Sequence, residues 1–543
     1  MVVTDRRALA GATAVLALVL ALVTFTGPRG LLGGDEGVKL IQAFGVLDHG
    51  VADPWLPYPA GRFDPEERNH PVVAPHIVTH HGHRYGIYPI TFTAPSAAAW
   101  RIGGFWALHV LPLVGGILTA LATMWLALLV TGSRRWSVAA GVVLVAATPL
   151  TVYAATFNEH ALGVGVFMAG VVGCATAETR RGQLVAGAAL GLAATLRGEL
   201  MAAAPAMAWF VVAYHGWSRA TLRRALWLGA GAVAVLAAFM AYNAATTGAA
   251  LPGVVANRAV NRPRDRRVML TLLFERRVRV GPPPVAVLLA TLVVGVAALR
   301  RRGPRWPWYL AAAAVVALWC WYALLALGHV TPGAGGYRTA VGLFTSAPFL
   351  VIGGLVGLAP ANERQRRVVA VVGAAVLFVV AVFLTNADGQ AGGLQFGARH
   401  LLAAVPLLTV GAIAVVRGVP RRFAALALVP VALAGFAAVQ NLRAWHVIAG
   451  HNAALTAAAA RSPSQDLVSN FFWGPEVIAP LWRERRISLA NSLDAPLTRM
   501  RAAGVTEITQ VLGGLEPLAR TGSVAPIATI DAGQGVVRYR LLR

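Results

Sequence analysis

The chain has 543 residues, of which 57% are hydrophobic and only 13% charged, and its mean hydropathy is +0.64. A soluble enzyme carries about a quarter charged residues, and a single soluble core stops growing near ~250–300 residues. The composition therefore excludes an ordinary soluble enzyme and a disordered chain, and it indicates a polytopic α-helical membrane protein.

The charge is strongly positive and almost entirely arginine. The formal net charge is +25, from 47 Lys+Arg against 22 Asp+Glu, and Lys39 is the only lysine. In a soluble chain this balance suggests nucleic acid. Here the arginines stand in short clusters between apolar runs, so membrane topology explains them and no nucleic-acid partner is expected. Cys174 and Cys320 lie inside apolar runs and predict neither a disulfide nor a metal site.

Apolar segments follow one another along the chain, most of them long enough to cross ~30 Å of hydrocarbon at about 1.5 Å per residue. The first follows Arg6 and Arg7 without a convincing signal-peptide cleavage site, so it predicts an uncleaved anchor. We count thirteen transmembrane helices, at about 8–26, 104–131, 137–156, 161–177, 184–196, 200–214, 225–245, 285–299, 308–328, 339–360, 368–384, 401–416 and 423–439.

The arginine clusters alternate with these segments and set an orientation. The short loops on the opposite side hold only Arg197, Arg338 and Arg399. By the positive-inside rule, the N-terminus is cytoplasmic and the C-terminus extracytoplasmic, in the cytoplasmic (inner) membrane. Abundant Ala, Gly and Val, with a single lysine, suggest a high-GC bacterium. The cytoplasmic clusters are Arg6/Arg7, Arg134/Arg135, Arg180/Arg181, Arg219/Arg223/Arg224, Arg300/Arg301/Arg302/Arg305, Arg364/Arg366/Arg367 and Arg417/Arg421/Arg422.

Two domains are expected, a membrane module over 1–440 and an outer-facing soluble α/β domain over 441–543. The membrane module has a first outer loop at 27–103 and an Arg-rich outer loop at 246–284, which we expect to bind anionic lipid at the interface. In the tail, hydrophobic patterning predicts strands at 466–470, 507–511 and 537–542, and helices at 475–485 and 496–503.

Charged side chains gather at the predicted outer boundary of the membrane, where each needs an explanation. Asp35 and Glu36 follow the first span; a partly shielded carboxylate there can act as a general base or hold a divalent cation. The plainer alternative is that Asp35 caps a helix over 36–47. Lys39, one turn later, is a weaker candidate for binding substrate.

Three further clusters lie at the same boundary, so we expect one wet cavity there. Glu159 and His160 stand in a tight turn and suggest a second acid, a metal ligand or an acceptor contact, against a plain solvated turn with a capping Glu. Arg197 and Glu199 separate two short apolar runs; they are either a salt bridge or an anionic-headgroup site. Arg399, followed by His400, has the better case for phosphate, because guanidinium binds phosphate in a bidentate manner.

Histidines at positions 76, 80, 81 and 83 resemble a metal cluster, but their context predicts two strands joined by a His-Gly turn. The chain has no P-loop, GxSxG or HExxH motif, so ATP hydrolysis, serine-hydrolase and zincin chemistry have no support. No cofactor is expected with certainty, and a divalent cation stays possible.

These positions resemble the GT-C fold glycosyltransferases, polytopic enzymes that use polyprenyl-phosphate-linked sugars. The plan over about 8–440 is similar to that of protein O-mannosyltransferases and aminoarabinose transferases. The resemblance is a pattern of positions, with Arg-Gly-Glu and Arg-His here where many relatives have Arg-Pro-Glu and Arg-Tyr. The residues that carry it are Asp35-Glu36, Tyr88-Pro89, Ala94-Pro95, Glu159, Leu196-Arg197-Gly198-Glu199, Gly397-Ala398-Arg399-His400 and Pro406.

The resemblance implies transfer of a hexosyl or pentosyl group from a polyprenyl-phosphate donor to a hydroxyl of a glycan, lipid or protein. Such a reaction would proceed with inversion on the outer face of the membrane and would serve cell-envelope glycan or glycoprotein synthesis. Asp35 would be the catalytic base, Glu36 and Glu159 would assist, and Arg399 with Arg197 would stabilise the leaving phosphate. Alternatives are a secondary transporter or flippase for an anionic or lipid-linked substrate, a lipid-linked polymer ligase and a non-catalytic scaffold.

Overall fold

The computed structural model describes residues 3–260, 273–274, 284–300, 304–329, 339–360, 363–385, 396–469, 471, 473–489, 494–511, 524–531 and 535–542. Most of the Arg-rich outer loop lies outside the described residues, as do Arg301, Arg302, Arg338 and the glycine-rich stretch before Phe396. The chain divides into two compact units. One comprises Met1–Thr26, Leu111–Ala238 and Pro263–Ala444, and the other Gly27–Val110, Phe239–Arg262 and Trp445–Arg543.

Helices dominate the described part of the chain, as the apolar composition predicts. Six of them are long and apolar enough to cross a membrane, which confirms a polytopic helical membrane protein. In chain order the helices are α1 Val3–Thr26, α2 Gly34–His49, α3 Ile90–Ala107, α4 Val110–Thr131, α5 Arg134–Ala146, α6 Leu150–Ala155, α7 His160–Thr176, α8 Arg180–Leu196, α9 Ala204–His215, α10 Arg219–Thr247, α11 Pro252–Val260, α12 Pro284–Leu299, α13 Trp306–His329, α14 Leu343–Ser346, α15 Glu363–Thr385, α16 Ala404–Gly418, α17 Arg421–Ala424, α18 Leu428–Ala460, α19 Gly474–Val477 and α20 Asp494–Ala502.

Several of the thirteen predicted spans are not single continuous α-helices, so that count stays a prediction. The span at 137–156 divides into α5 and α6 around Pro149. The span at 339–360 contains α14 and two 3-10 helices, Pro348–Gly354 and Val356–Leu358. Nearly all residues of this second segment are buried. Irregular backbone at membrane depth is tolerated where protein surrounds it, because lipid cannot satisfy its polar groups.

The first unit positions its polar residues through a helical hairpin. Helices α7 and α8 run antiparallel and pack along their length. Small residues allow this close approach, since a Cβ at Gly173 would lie 2.5 Å from the Ala186 Cβ. The start of α7 and the end of α8 therefore meet at one end of the hairpin, where Glu159 and Arg197 stand.

The second unit contains α2 and two β-sheets. Strands β1 (Ile77–His80) and β2 (His83–Gly86) form the predicted hairpin. Its turn, His81-Gly82, has positive φ at both residues, which suits a two-residue hairpin loop. Of the described residues, no three His, Cys, Asp or Glu are grouped to hold a metal ion.

The C-terminal region forms a five-stranded sheet. Its order is Arg486–Leu489 (β4), Asp466–Ser469 (β3), Glu507–Val511 (β5), Val536–Leu541 (β7) and Val524–Asp531 (β6). Strands β3, β5 and β7 confirm the predicted strands, and β4 and β6 complete the sheet. Helix α20 also matches its prediction. The helix predicted at 475–485 was wrong: Pro475 and Pro480 limit it to α19 and a 3-10 turn, Ala479–Leu481.

Candidate active site

Three predicted site residues lie on the first turns of α2, and each contacts a protein group. The carboxylate of Asp35 accepts a hydrogen bond from the Tyr88 hydroxyl at 2.9 Å. Glu36, 3% exposed, accepts one from the backbone N–H of Leu32. The ammonium of Lys39 lies 4.7 Å from the centroid of the Tyr88 ring, a cation–π contact. The two acids therefore begin a helix whose N-terminal dipole favours their charge.

The helix starts two residues earlier than the capping alternative requires. Its first residue is Gly34 and its N-cap is Gly33, so Asp35 lies inside the first turn and does not cap it. Asp35 is partly exposed, whereas Glu36 and Lys39 are buried. Of the two acids, Asp35 is thus the one that can reach a ligand.

Tyr88 is fixed in place by its own neighbours. The side-chain amide of Gln42 donates to the Tyr88 carbonyl at 2.8 Å, and the Tyr88 N–H donates back to Gln42 Oε1 at 3.2 Å. The Tyr88 hydroxyl also lies 3.2 Å from His76 Nδ1. Because a hydroxyl has one proton, a Tyr88 that donates to Asp35 accepts from His76, and the three groups form a directed hydrogen-bonded chain.

The other six predicted residues cluster in the first compact unit around Arg197. Its Nη1 lies 2.9 Å from Glu159 Oε1, and its Nε donates to Glu199 Oε1 at 2.8 Å. Glu159 is 3% exposed. Nδ1 of His160 lies 3.9 Å from Glu159, and Nδ1 of His400 lies 3.9 Å from Glu199. Arg197 and Glu199 therefore form a salt bridge, and Glu159 is a third partner in it.

The local backbone explains why Arg197 reaches both acids. It follows the last residue of α8 with φ −138° and ψ 107°, and a 3-10 helix, Gly198–Ala203, begins after it. This extended residue turns the chain and carries Glu199 beside the guanidinium. Glycine at position 163 provides the space, because a Cβ there would lie 2.8 Å from the Arg197 Cγ.

Arg399 and His400 line a small cavity with the same cluster. Its volume is about 10 Å³, and His160, Arg197 and Glu199 also line it. Tyr153, which the sequence did not single out, stacks on the His160 ring at 4.8 Å and 11°. A space of this size holds about one water molecule. Arg399, which belongs to a 3-10 turn rather than a regular helix, thus lines the same cavity as Glu199.

The nine predicted residues therefore fall into two groups that belong to different compact units. Asp35, Glu36 and Lys39 form one group, and the six residues around Arg197 form the other. The sequence missed Gln42 and Tyr153, and it considered His76 only as one of four possible metal ligands. The Tyr88-Pro89 pair was a further signal near Asp35.

No protein-family model matches the sequence, and no curated protein matches it. Solved structures do resemble its fold. The apo structure of ArnT from Cupriavidus metallidurans has a TM-score of 0.51 and 13% identity, and the match covers 98% of each chain. ArnT bound to undecaprenyl phosphate has a TM-score of 0.48 and 13% identity over 97% of each chain.

A further match is the archaeal oligosaccharyltransferase AglB from Archaeoglobus fulgidus, in complex with an inhibitory peptide and a dolichol-phosphate. It has a TM-score of 0.48 and 14% identity, over 92% of this chain and 69% of AglB. The similarity to apo ArnT extends over nearly the whole of both chains, including the C-terminal region. The chain therefore has the GT-C-like membrane fold that its sequence predicted.

Proposed function

We propose that this protein is a membrane glycosyltransferase that moves a sugar from a polyprenyl-phosphate donor to an acceptor hydroxyl. The observation that carries the proposal is the position of Asp35, on the first turn of a helix that starts eight residues after α1, with its carboxylate hydrogen-bonded to Tyr88. A GT-C-like fold over the whole chain supports the same class of enzyme.

In the proposed reaction the acceptor oxygen attacks the anomeric carbon while the bond from that carbon to the lipid phosphate breaks. The bonding pair leaves with the phosphate, and the acceptor proton passes to Asp35. Attack opposite the leaving group inverts the anomeric carbon. Developing charge on the phosphate needs a cation. We assign this role to Arg399, with support from Arg197, because guanidinium binds phosphate in a bidentate manner.

Glu159 and Glu36 receive supporting roles in this scheme. Arg197 pairs with the Glu159 carboxylate, and the Leu32 N–H holds Glu36. We place the reaction on the outer face of the cytoplasmic membrane, because the arginine clusters assign the opposite ends of the helices to the cytoplasm. Donor lipids remain in the bilayer, so groups at the membrane boundary can reach the sugar phosphate. The proposed acceptor is a hydroxyl group of a glycan, a lipid or a protein.

The test is transfer by the purified full-length protein with a panel of polyprenyl-phosphate sugars. Asp35→Asn should lower transfer by at least about 100-fold, the usual contribution of a general base. Asp48→Asn is the matched control, since Asp48 lies in the last turn of the same helix and pairs with Arg483. Unchanged turnover in Asp35→Asn would remove Asp35 from the mechanism.

Secondary transport is the second candidate, and the broken segment 343–358 is the observation that favours it. Discontinuous helices line the substrate sites of many transporters. Reconstitution in vesicles distinguishes the two activities. An enzyme forms a glycosylated acceptor with both substrates on one side, whereas a flippase moves the intact lipid-linked sugar across the bilayer without forming a product.

A further inference from the structure

The C-terminal region packs directly against the backbone of α2. The turn Trp473–Glu476, here called the 473–476 turn, covers the face of the helix that carries Gly34 and Gly37. A Cβ at Gly34 would lie 1.7 Å from the Trp473 ring, and a Cβ at Gly37 would lie 2.0 Å from the Glu476 carbonyl oxygen. Only glycine permits this approach, so the first turns of α2 rest on the 473–476 turn.

The same turn contacts the hydrogen-bonded chain that ends at Asp35. The Trp473 ring lies 5.5 Å from the His76 ring, and His76 is 7% exposed. The His76 imidazole lies 3.2 Å from the Tyr88 hydroxyl, which donates to Asp35 at 2.9 Å. Trp473 therefore limits the positions of the His76 ring on one side and of the α2 backbone on the other.

Glu476 adds an independent observation about this turn. It is completely buried, and neither of its carboxyl oxygens has a hydrogen-bond partner among the described residues. Burial raises the pKa of its carboxyl group well above the usual range, because a buried environment disfavours the charged form. This burial disfavours a further negative charge next to Asp35 and Glu36, the two acids in the first turn of α2.

We infer that His76, Tyr88 and Trp473 are positioning residues for Asp35, and that the C-terminal region thereby serves the transfer step. The inference rests on the proposed function. The Tyr88 hydroxyl holds the Asp35 carboxylate in one rotamer and stabilises its charged form. His76 orients that hydroxyl, and Trp473 holds His76 and the start of α2 together.

The hydrogen bond from Tyr88 to Asp35 predicts the direction in which the kcat–pH profile shifts when that hydroxyl is removed. The ionisable groups around Asp35 are Glu36 and Lys39 on its own helix, His76 and Tyr88 in the first outer loop, and Glu476 in the turn that packs on α2. A hydrogen bond donated to a carboxylate favours the ionised form. Loss of the Tyr88 hydroxyl therefore raises the pKa of Asp35, and the acid limb of the kcat–pH profile moves to higher pH.

The kinetic test compares Tyr88→Phe with Tyr85→Phe in the full-length protein. Tyr85 is the matched control, since its hydroxyl donates to Asp53 at 2.6 Å and not to α2. Tyr88→Phe should lower kcat about tenfold with KM nearly unchanged and should shift the acid limb upward. His76→Asn, which keeps a donor near the Nδ1 position, should retain more activity than His76→Phe. A Tyr88→Phe enzyme with the wild-type kcat and pH profile would overturn the inference.

A second test needs no turnover and so separates this inference from the proposed function. Melting temperatures of Asp35→Asn, Trp473→Phe and the double variant form a cycle in which coupled residues give a non-additive change. We expect the double variant to have a higher melting temperature than the sum of the two single shifts predicts. Loss of either side chain already breaks the hydrogen-bonded chain of His76, Tyr88 and Asp35, so the second loss costs less. Additive shifts would overturn the positioning role even if transfer is confirmed. Absence of transfer by the wild type would overturn only the proposed function.

Discussion

At the scale of single residues, Arg197 pairs with two carboxylates at once, those of Glu159 and Glu199. Glu159 is buried, and Glu199 is only partly exposed. Removing one partner of a buried ion pair typically costs about 3–5 kcal/mol. We expect Arg197→Gln to lower the free energy of unfolding by this order. Arg197→Lys should be intermediate, because an ammonium lacks the fork that spans both acids.

Unfolding of the purified protein in detergent measures these changes. Arg181→Gln is the control for loss of an arginine, since Arg181 is exposed near the start of α8, the helix that ends just before Arg197. It should unfold as the wild type does. If Arg197→Gln and Arg181→Gln have the same free energy of unfolding, Arg197 does not stabilise the protein through Glu159 and Glu199.

The sequence predicted these side chains unequally well. Glu159, Arg197 and Glu199 stood out because a charge at the edge of an apolar segment is costly and therefore conspicuous. His76 stood out only as a possible metal ligand, since a histidine in a polar outer loop has no such cost. Its role depends on Tyr88 and on Trp473, which lies almost four hundred residues away in the chain, and no local pattern encodes that contact.

At the scale of elements, the packing of α2 depends on two glycines, Gly34 and Gly37, on the face that the 473–476 turn covers. A Cβ at Gly37 would overlap the Glu476 backbone, which cannot move aside as a flexible side chain can. Gly37→Ala should therefore destabilise the protein by about 1–3 kcal/mol, the usual cost of overpacking. Gly33→Ala is the matched control, because a Cβ at Gly33 would have no atom within 4 Å and the φ of −176° there suits any residue. Equal melting temperatures for the two variants would contradict this packing.

Continuous helices were predictable from hydropathy, whereas helix breaks were not. The apolar pattern placed α7 and α15 within a few residues of their observed limits. The segment 339–360 is equally apolar, but it folds as short helical pieces. Glycine and proline are common in membrane helices, so Pro348 and Gly353 alone did not signal a break. Burial of the segment among other helices decides its conformation, and this is tertiary information.

At the scale of the whole molecule, the fold class follows from composition, but the grouping of segments does not. The second compact unit joins 27–110, 239–262 and 445–543, which are widely separated in the sequence. Within that unit Asn452 donates to the Leu31 carbonyl at 2.7 Å, and Trp482 donates to the Pro57 carbonyl at 3.0 Å. Such contacts arise from three-dimensional packing and leave no periodic signal in the chain.

The orientation of the molecule in the membrane gives a prediction that accessibility can test. The positive-inside rule assigns the α4–α5 loop to the cytoplasm and the C-terminal sheet to the outside. Single cysteines are introduced at Arg135 and Ala503, both exposed, after Cys174 and Cys320 are replaced by alanine. A membrane-impermeant maleimide should label Ala503→Cys in intact spheroplasts, and Arg135→Cys only after permeabilisation. The reverse labelling pattern would contradict the predicted orientation and place the proposed transfer on the cytoplasmic face. The donor lipid would then have to reach the enzyme before it is flipped across the membrane.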